Sequence, residues 1–383
     1  MALNAERVDA MVREGVAAMQ RRDPATARRL FETLADPASG AAPPWLLLAQ
    51  ACRMAGDSVA EEAALDRLLG DQPRHLRGLV MKGDCRARAG DIRAATSFYS
   101  LALKIAPADG SLPPALAADL QRVAQAVEEH RRGYAAHLDA QLAAAGVDGA
   151  RSGARFRQAI DILAGRKQVY LQQPNSFYYP GLPQIQFYER DRFPWLSALE
   201  AETTAILGEL TELMADAEAF SPYVEARRDR PRTPNPLLDD PRWGAAYIWR
   251  EGELVAGMAE RCPRTVAALE HAPVPRIRGR SPMALFSRLH PGTHIQPHHG
   301  MINTRLICHL PLIVPPGCQF RVGNEVREWE VGKTLIFDDS IEHEARNDGT
   351  ETRIVLLFEI WRPEIDDTER EALTALFESI VDY

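Results

Sequence analysis

A chain of 383 residues with 46% hydrophobic and 26% charged side chains has an ordinary globular composition and is long enough for two or three cores. Its 45 basic and 53 acidic residues leave a formal charge of -8, so no global positive field gathers nucleic acid or an anionic membrane, and neither is expected as a partner. The start, Met-Ala-Leu-Asn-Ala-Glu-Arg, lacks a signal-peptide pattern and no run of about 18 apolar residues follows, which predicts a cytoplasmic protein.

The first 107 residues repeat with a period of 34, the spacing of a helix-turn-helix unit that buries its apolar face by stacking on its neighbours. Asp23, Asp57 and Asp91 recur at that interval, as do Gly56 and Gly90, and Pro73 and Pro107. Trp45, Leu48, Ala49 and Cys52 in one unit, and Gly83, Ala94, Ala95, Phe98 and Ala102 in the next, set small residues where paired helices approach and large ones where gaps are filled. The pattern resembles the tetratricopeptide family, which implies a short helical solenoid over residues 1–110 whose concave face either engages a peptide or protein substrate or serves as a scaffold packed against the next domain.

Residues 111–170 are rich in Ala, Leu, Gln, Arg and Glu and predict a helical capping region. Composition then changes, and residues 171–383 are expected to form a second domain. After the aromatic and proline-rich stretch Phe177 to Pro183 comes a strand-like Gln184 to Tyr188, and Phe193-Pro194-Trp195 starts a helix running to about Asp216. Short strands with frequent turn signals are predicted over 283–290, 293–298, 304–312, 318–322, 325–330, 333–338 and 351–361. A last helix, about 366–381, places Leu373, Leu376, Phe377 and Ile380 on one side. The fold class expected is α+β, an α-helical solenoid followed by a double-stranded β-helix of the jelly-roll, cupin-like kind. The five scattered cysteines, with no C-x-x-C pair, argue against a thiolate zinc site or a disulfide framework.

Seven of the ten histidines fall between 271 and 343, three of them within His294-Ile295-Gln296-Pro297-His298-His299, and neutral imidazole suits iron, zinc or nickel. Phe337-Asp338-Asp339-Ser340-Ile341-Glu342-His343 reads as a strand ending in a polar turn that delivers one further histidine. Alternation along a strand puts Arg305, Ile307 and His309 on one face, and Arg353, Val355 and Leu357 on one face, with Ser287 mid-strand between Leu285 and Leu289. Ser, His and Arg directed into an apolar interior are costly unless they meet an anion or each other, and a dicarboxylate would satisfy them with Arg353 as bidentate partner. A structural ion pair for Arg353, and hydrogen-bonded core or surface roles for the histidines, are the bland alternatives.

Ser287-Arg288-Leu289-His290-Pro291-Gly292-Thr293-His294, Pro297-His298-His299-Gly300, Cys308-His309-Leu310, Phe337-Asp338-Asp339-Ser340 and Ile360-Trp361-Arg362-Pro363-Glu364 together resemble the aspartyl/asparaginyl β-hydroxylase family in order and spacing. Phe177 to Leu182 and Phe193-Pro194-Trp195 also match its catalytic region, so the resemblance covers about residues 176–365. It implies an Fe(II)- and 2-oxoglutarate-dependent dioxygenase that uses O2 to hydroxylate the β-carbon of an Asp or Asn residue in a peptide or protein. On that resemblance, His298 and His343 ligate the metal, Ser287, His309 and Arg353 hold the distal carboxylate of 2-oxoglutarate, Trp249 lies near the same pocket, and Arg305 binds substrate.

Gly300 stands where the common iron-oxygenase triad has Asp or Glu, as in the family's two-histidine members, leaving water, His299, Asp338 or Asp339 for the remaining position. The family's peptide hydroxylases carry arginine where this chain has Ile307, which removes a five-donor fork for a carboxylate. The alternatives are therefore the same chemistry on a free amino acid or small metabolite, and a non-catalytic interaction protein built on the helical repeats. Cys262 and Cys318 give no disulfide argument for a secretory substrate.

Overall fold

The structure is a computed structural model that describes residues 3–107, 111–147, 153–216, 218–226, 231 and 234–381. The chain divides into two units, Met1–Lys167 and Gln168–Tyr383. The first is helical. Its hairpins are α1 (Ala5–Gln20) with α2 (Pro24–Ala35), α3 (Trp45–Met54) with α4 (Ser58–Asp71), and α5 (Leu76–Arg88) with α6 (Ile92–Ile105), followed by α7 (Pro114–Ala144) and α8 (Gly153–Leu163).

The 34-residue period is a period of helix starts. Asp23, Asp57 and Asp91 cap α2, α4 and α6, each carboxylate accepting from the backbone N–H three residues on, at Thr26, Ala60 and Ala94. Within the outer two hairpins a small residue faces a ring: a Cβ on Gly15 would press on Phe31, and one on Gly83 would overlap Tyr99. Phe31, Leu34, Ala49 and Leu65 anchor one buried cluster of this unit, and Leu79, Tyr99 and Val123 another.

The second unit contains β1 (Phe187–Tyr188), α9 (Leu196–Ala201), α10 (Thr203–Met214), β2 (Ser221–Pro222), β3 (Trp243–Arg250), β4 (Glu253–Leu254), α11 (Met258–Arg261) and α12 (Pro263–Leu269). It continues with β5 (Ala284–Leu289), β6 (Thr293–His298), β7 (Arg305–Ile313), β8 (Cys318–Val322), β9 (Glu325–Arg327), β10 (Leu335–Phe337), β11 (His343–Asn347), β12 (Arg353–Trp361) and α13 (Asp367–Val381). One sheet runs β1-β10-β7-β12-β5-β3-β2, with β4 on β3, and a second runs β6-β11-β8-β9.

This corrects the expected double-stranded β-helix. The topology is mixed α/β with two open sheets, and among the described residues no strand ladder closes one onto the other. Period-two alternation identifies strands but not their partners. Here β1 and β3, drawn from residues well before the predicted strand block, extend the larger sheet on both sides.

That larger sheet is apolar on both faces. Leu306, Cys308, Leu310, Leu356 and Phe358 pack toward Leu199, Ile206, Leu210 and Leu269 of α9, α10 and α12. Ile307, Val355, Leu357, Leu285 and Leu289 on the other face join Ile295, Phe320, Val322 and Ala345 of the smaller sheet. In α13 only Leu373 and Phe377 are buried, whereas Leu376 and Ile380, predicted on the same side, are exposed. All five cysteines are buried and free.

Candidate active site

Strand register lays the polar residues out in rows across the inner face of the larger sheet. Arg353 of β12 pairs with Leu289 of β5, which pairs with Trp243 of β3. The next row is Val355, Ser287 and Ala245; the one after is Leu357, Leu285 and Tyr247, with His309 of β7 on the far side of Leu357. Glu359 with Ile307, then Trp361 with Arg305, complete the face. From the smaller sheet, His298 of β6 pairs directly with His343 of β11. A cavity of about 730 Å³ is lined by Ser287, His298, Arg305, His309, His343 and Arg353 among others.

The two histidine rings lie 4.1 Å apart between centroids. His298 Nδ1 donates to the Gln296 carbonyl at 2.8 Å and His343 Nδ1 to the Ile341 carbonyl at 3.0 Å. With the proton fixed on Nδ1, each Nε2 keeps a free lone pair. Burial lowers the pKa of His298 and holds that of His343 well below the usual range, the neighbouring imidazole adding to the latter, so both rings are neutral.

Arg353 is 1% exposed, and among the described residues it has no carboxylate partner. Its Nη1 makes one long bond to the Ser287 carbonyl at 3.4 Å, its Nε has no acceptor, and its guanidinium lies 4.7 Å over the Trp329 ring. Burial pulls its pKa down to about 10. Beside it, His309 Nδ1 accepts from Trp329 Nε1 at 3.3 Å, which leaves the proton on Nε2, and Ser287 Oγ accepts from Trp243 Nε1 at 3.3 Å, which leaves its hydroxyl proton to donate. Burial and the charge of Arg353 keep His309 neutral. These groups form a donor set without an acceptor.

Arg305 is differently placed. It is held between Glu359 and Asp339, so its charge is already matched. Asp339 lies against Gly300, where a Cβ would collide with its carboxylate, and Gly300 N–H donates to the Asp339 carbonyl at 2.6 Å. Burial raises Asp339 to about pH 6, with Asp338 and Glu359 adding to the effect and Arg305 opposing it. Its Oδ1 has no hydrogen-bond partner among the described residues. Asp338, a candidate for the open metal position, points elsewhere: Arg362 at 2.8 Å, Gln172 at 2.7 Å and Ser340 Oγ bond it in a fully buried cluster. His299 and Asp339 line the cavity.

Trp249 is a correction. A register shift between Tyr247 and Trp249 turns its ring toward the helix-covered face, where it packs against the core and lies beneath Arg276 at 5.5 Å. The tryptophans of the site are Trp243, which also stacks on Tyr223 at 4.1 Å, and Trp329, neither of which sequence reasoning singled out. Alternation along β3 would have placed Trp243 on the face of Ala245, but nothing local points Trp329 at His309. Among the described residues no three His, Cys, Asp or Glu side chains are grouped to hold a metal ion.

Residues 200–363 match the family model of aspartyl/asparaginyl beta-hydroxylase. The chain is 38% identical over 136 residues to the human aspartyl/asparaginyl beta-hydroxylase, an alignment that covers 35% of this chain and 18% of that protein. Human aspartate beta-hydroxylase domain-containing protein 2 is 32% identical over 215 residues, covering 54% and 55% of the two chains. The ornithine lipid ester-linked acyl 2-hydroxylase of Rhizobium tropici is 32% identical over 188 residues, covering 48% and 63%. The chain thus spans less than two thirds of each of these relatives. Over residues 200–363 the chain is thus similar to aspartyl/asparaginyl beta-hydroxylases.

Proposed function

We propose that residues 171–383 form an Fe(II)- and 2-oxoglutarate-dependent oxygenase domain that hydroxylates a C–H bond. The observation that carries the reading is Arg353: a buried guanidinium without an acid among the described residues, on one sheet face with the donors Ser287 and His309, in the cavity that two neutral histidines enter from the opposite sheet. A dicarboxylate supplies the acceptor this donor set lacks. His298 and His343 offer two imidazole nitrogens to a divalent iron, and Gly300 leaves the adjacent space to the Asp339 carboxylate.

Iron with 2-oxoglutarate and O2 supplies the oxidising power when bound: one oxygen atom enters the C–H bond, the other enters succinate, and CO2 leaves. The chain's own residues bind and orient. Arg353, His309 and Ser287 fix the cosubstrate's distal carboxylate, the Gln296 and Ile341 carbonyls hold the imidazoles in one tautomer, and the Trp329 and Trp243 indoles set the polarity of His309 and Ser287. No side chain acts as a nucleophile.

The β-carbon of a peptidyl Asp or Asn is the substrate that the names of most relatives support, and one relative is named for hydroxylating an ester-linked acyl chain. A small-molecule substrate is the second reading, favoured by Ile307 and by the matched state of Arg305. The test is anaerobic titration with Fe(II) and 2-oxoglutarate followed by visible charge-transfer absorption, then oxygen and succinate assay. Absorption and succinate formation that vanish in His298→Ala and His343→Ala are expected. Unchanged metal content in both variants, or no 2-oxoglutarate binding to the wild type, overturns the reading in favour of a non-catalytic interaction protein.

A further inference from the structure

The inner face of the larger sheet is charged unevenly along its strands. At the Arg353 end the positive charge is unmatched, while at the Arg305 end one guanidinium faces two buried carboxylates, Glu359 and Asp339. Between those charges, Ile307, Leu357, Tyr247 and Met283 pack as one apolar cluster and line the cavity. An acidic group brought against Ile307 would lose its water and sit beside two carboxylates that share one guanidinium, so this wall disfavours it. An alkyl segment loses nothing there and gains the burial of its surface.

Besides Arg353, a second cation of the cavity lining is without an ion pair among the described residues. Arg280 is half-buried and makes no ion pair among the described residues; its guanidinium rests 4.3 Å over the Phe377 ring. Burial, with the charge of Arg305 nearby, lowers its pKa, and the carboxylate of Glu359 opposes the shift. Arg250, also in the lining, is already bonded to Glu225 at 3.1 Å.

We infer that the substrate is an anionic amphiphile, its aliphatic chain lying against Ile307, Leu357 and Met283 and its anionic group paired with Arg280. This rests on the oxygenase reading for the chemistry but not for the binding. An alkyl carboxylate and an alkyl phosphate share the recognised chemistry.

The test is calorimetric titration of the full chain with decanoate, decyl phosphate, decyltrimethylammonium and an Asp-containing peptide, each with and without Fe(II) and 2-oxoglutarate under anaerobic conditions. At least one anionic amphiphile is expected to bind about tenfold or more tightly than the cationic one and the peptide, the preferred anion identifying carboxylate or phosphate. Arg280→Gln is expected to weaken that anion by about tenfold or more, since a charge-assisted hydrogen bond is lost. Ile307→Arg is expected to shift preference toward the Asp peptide, with circular dichroism melting to verify that it folds. Tighter binding of the peptide than of either anion to the wild type, or an Arg280→Gln variant with unaltered anion affinity, overturns the inference. Failure of 2-oxoglutarate to bind, with the amphiphile preference intact, overturns the oxygenase reading alone.

Discussion

On the proposed function, Arg353 is the residue at which stability and binding pull in opposite directions. A buried cation without an acid partner costs folding free energy, and its depressed pKa of about 10 is the same statement in another form. Arg353→Met is therefore expected to raise stability by on the order of 1–3 kcal/mol in a denaturant melt while abolishing 2-oxoglutarate binding. Asp339 carries the opposite sign of shift. Its folded pKa of about 6 exceeds the unfolded value, so its contribution to stability is full at low pH and is lost as pH rises through 6. Thermal melts from pH 4 to 7 should show Asp339→Asn gaining on the wild type as pH rises, by up to roughly 3 kcal/mol, and a constant difference would contradict the burial argument. The face shared by Ser287, His309 and Arg353 was legible in the sequence because alternation along a strand is local. The indoles that set the polarity of Ser287 and His309 were not, since Trp243 and Trp329 reach them from other strands. Trp249 was misplaced because a single register shift reverses which face a side chain occupies.

At the scale of elements, the end of β12 is tied to the turn that precedes β11. Arg362, fully buried, bonds Asp338, the Tyr188 hydroxyl and the carbonyls of Pro183 and Asn303, and Asp338 in turn receives Gln172 and Ser340. This clamp fixes the turn that delivers Asp339 and His343. Arg362→Ala leaves Asp338 buried and uncompensated, and the expected cost is about 3–5 kcal/mol in an equilibrium unfolding experiment. Helix starts were equally legible: Asp23, Asp57 and Asp91 repeat because a short acidic side chain satisfies the first N–H groups of a helix wherever it sits. Sheet order was not. Strand pairing joins residues such as Tyr247 and Leu285, or Ile307 and Glu359, whose separation no local pattern encodes, and this is why an expected closed β-helix proved to be two open sheets.

Across the whole molecule, each unit has its own buried clusters, one set built around Phe31 and Tyr99 and the other around Phe286, Phe320 and Phe358. Truncation of Phe31, which is fully buried, removes a ring on which the Gly15 backbone rests. Phe31→Ala should therefore lower the stability of the helical unit by about 3–5 kcal/mol, measured as loss of helical ellipticity at a lower denaturant concentration. Helical repeats and two-faced sheets need different residues, the one alanine-rich and the other rich in β-branched and aromatic side chains.

The contact between Gly300 and Asp339 makes two positions, far apart in sequence, behave as one. Any side chain introduced at 300 must evict the carboxylate of 339, and that carboxylate helps hold Arg305. An acid at 300 thus cannot be reached in a single step: it requires a smaller residue at 339 in the same molecule, which leaves Glu359 as the partner of the guanidinium.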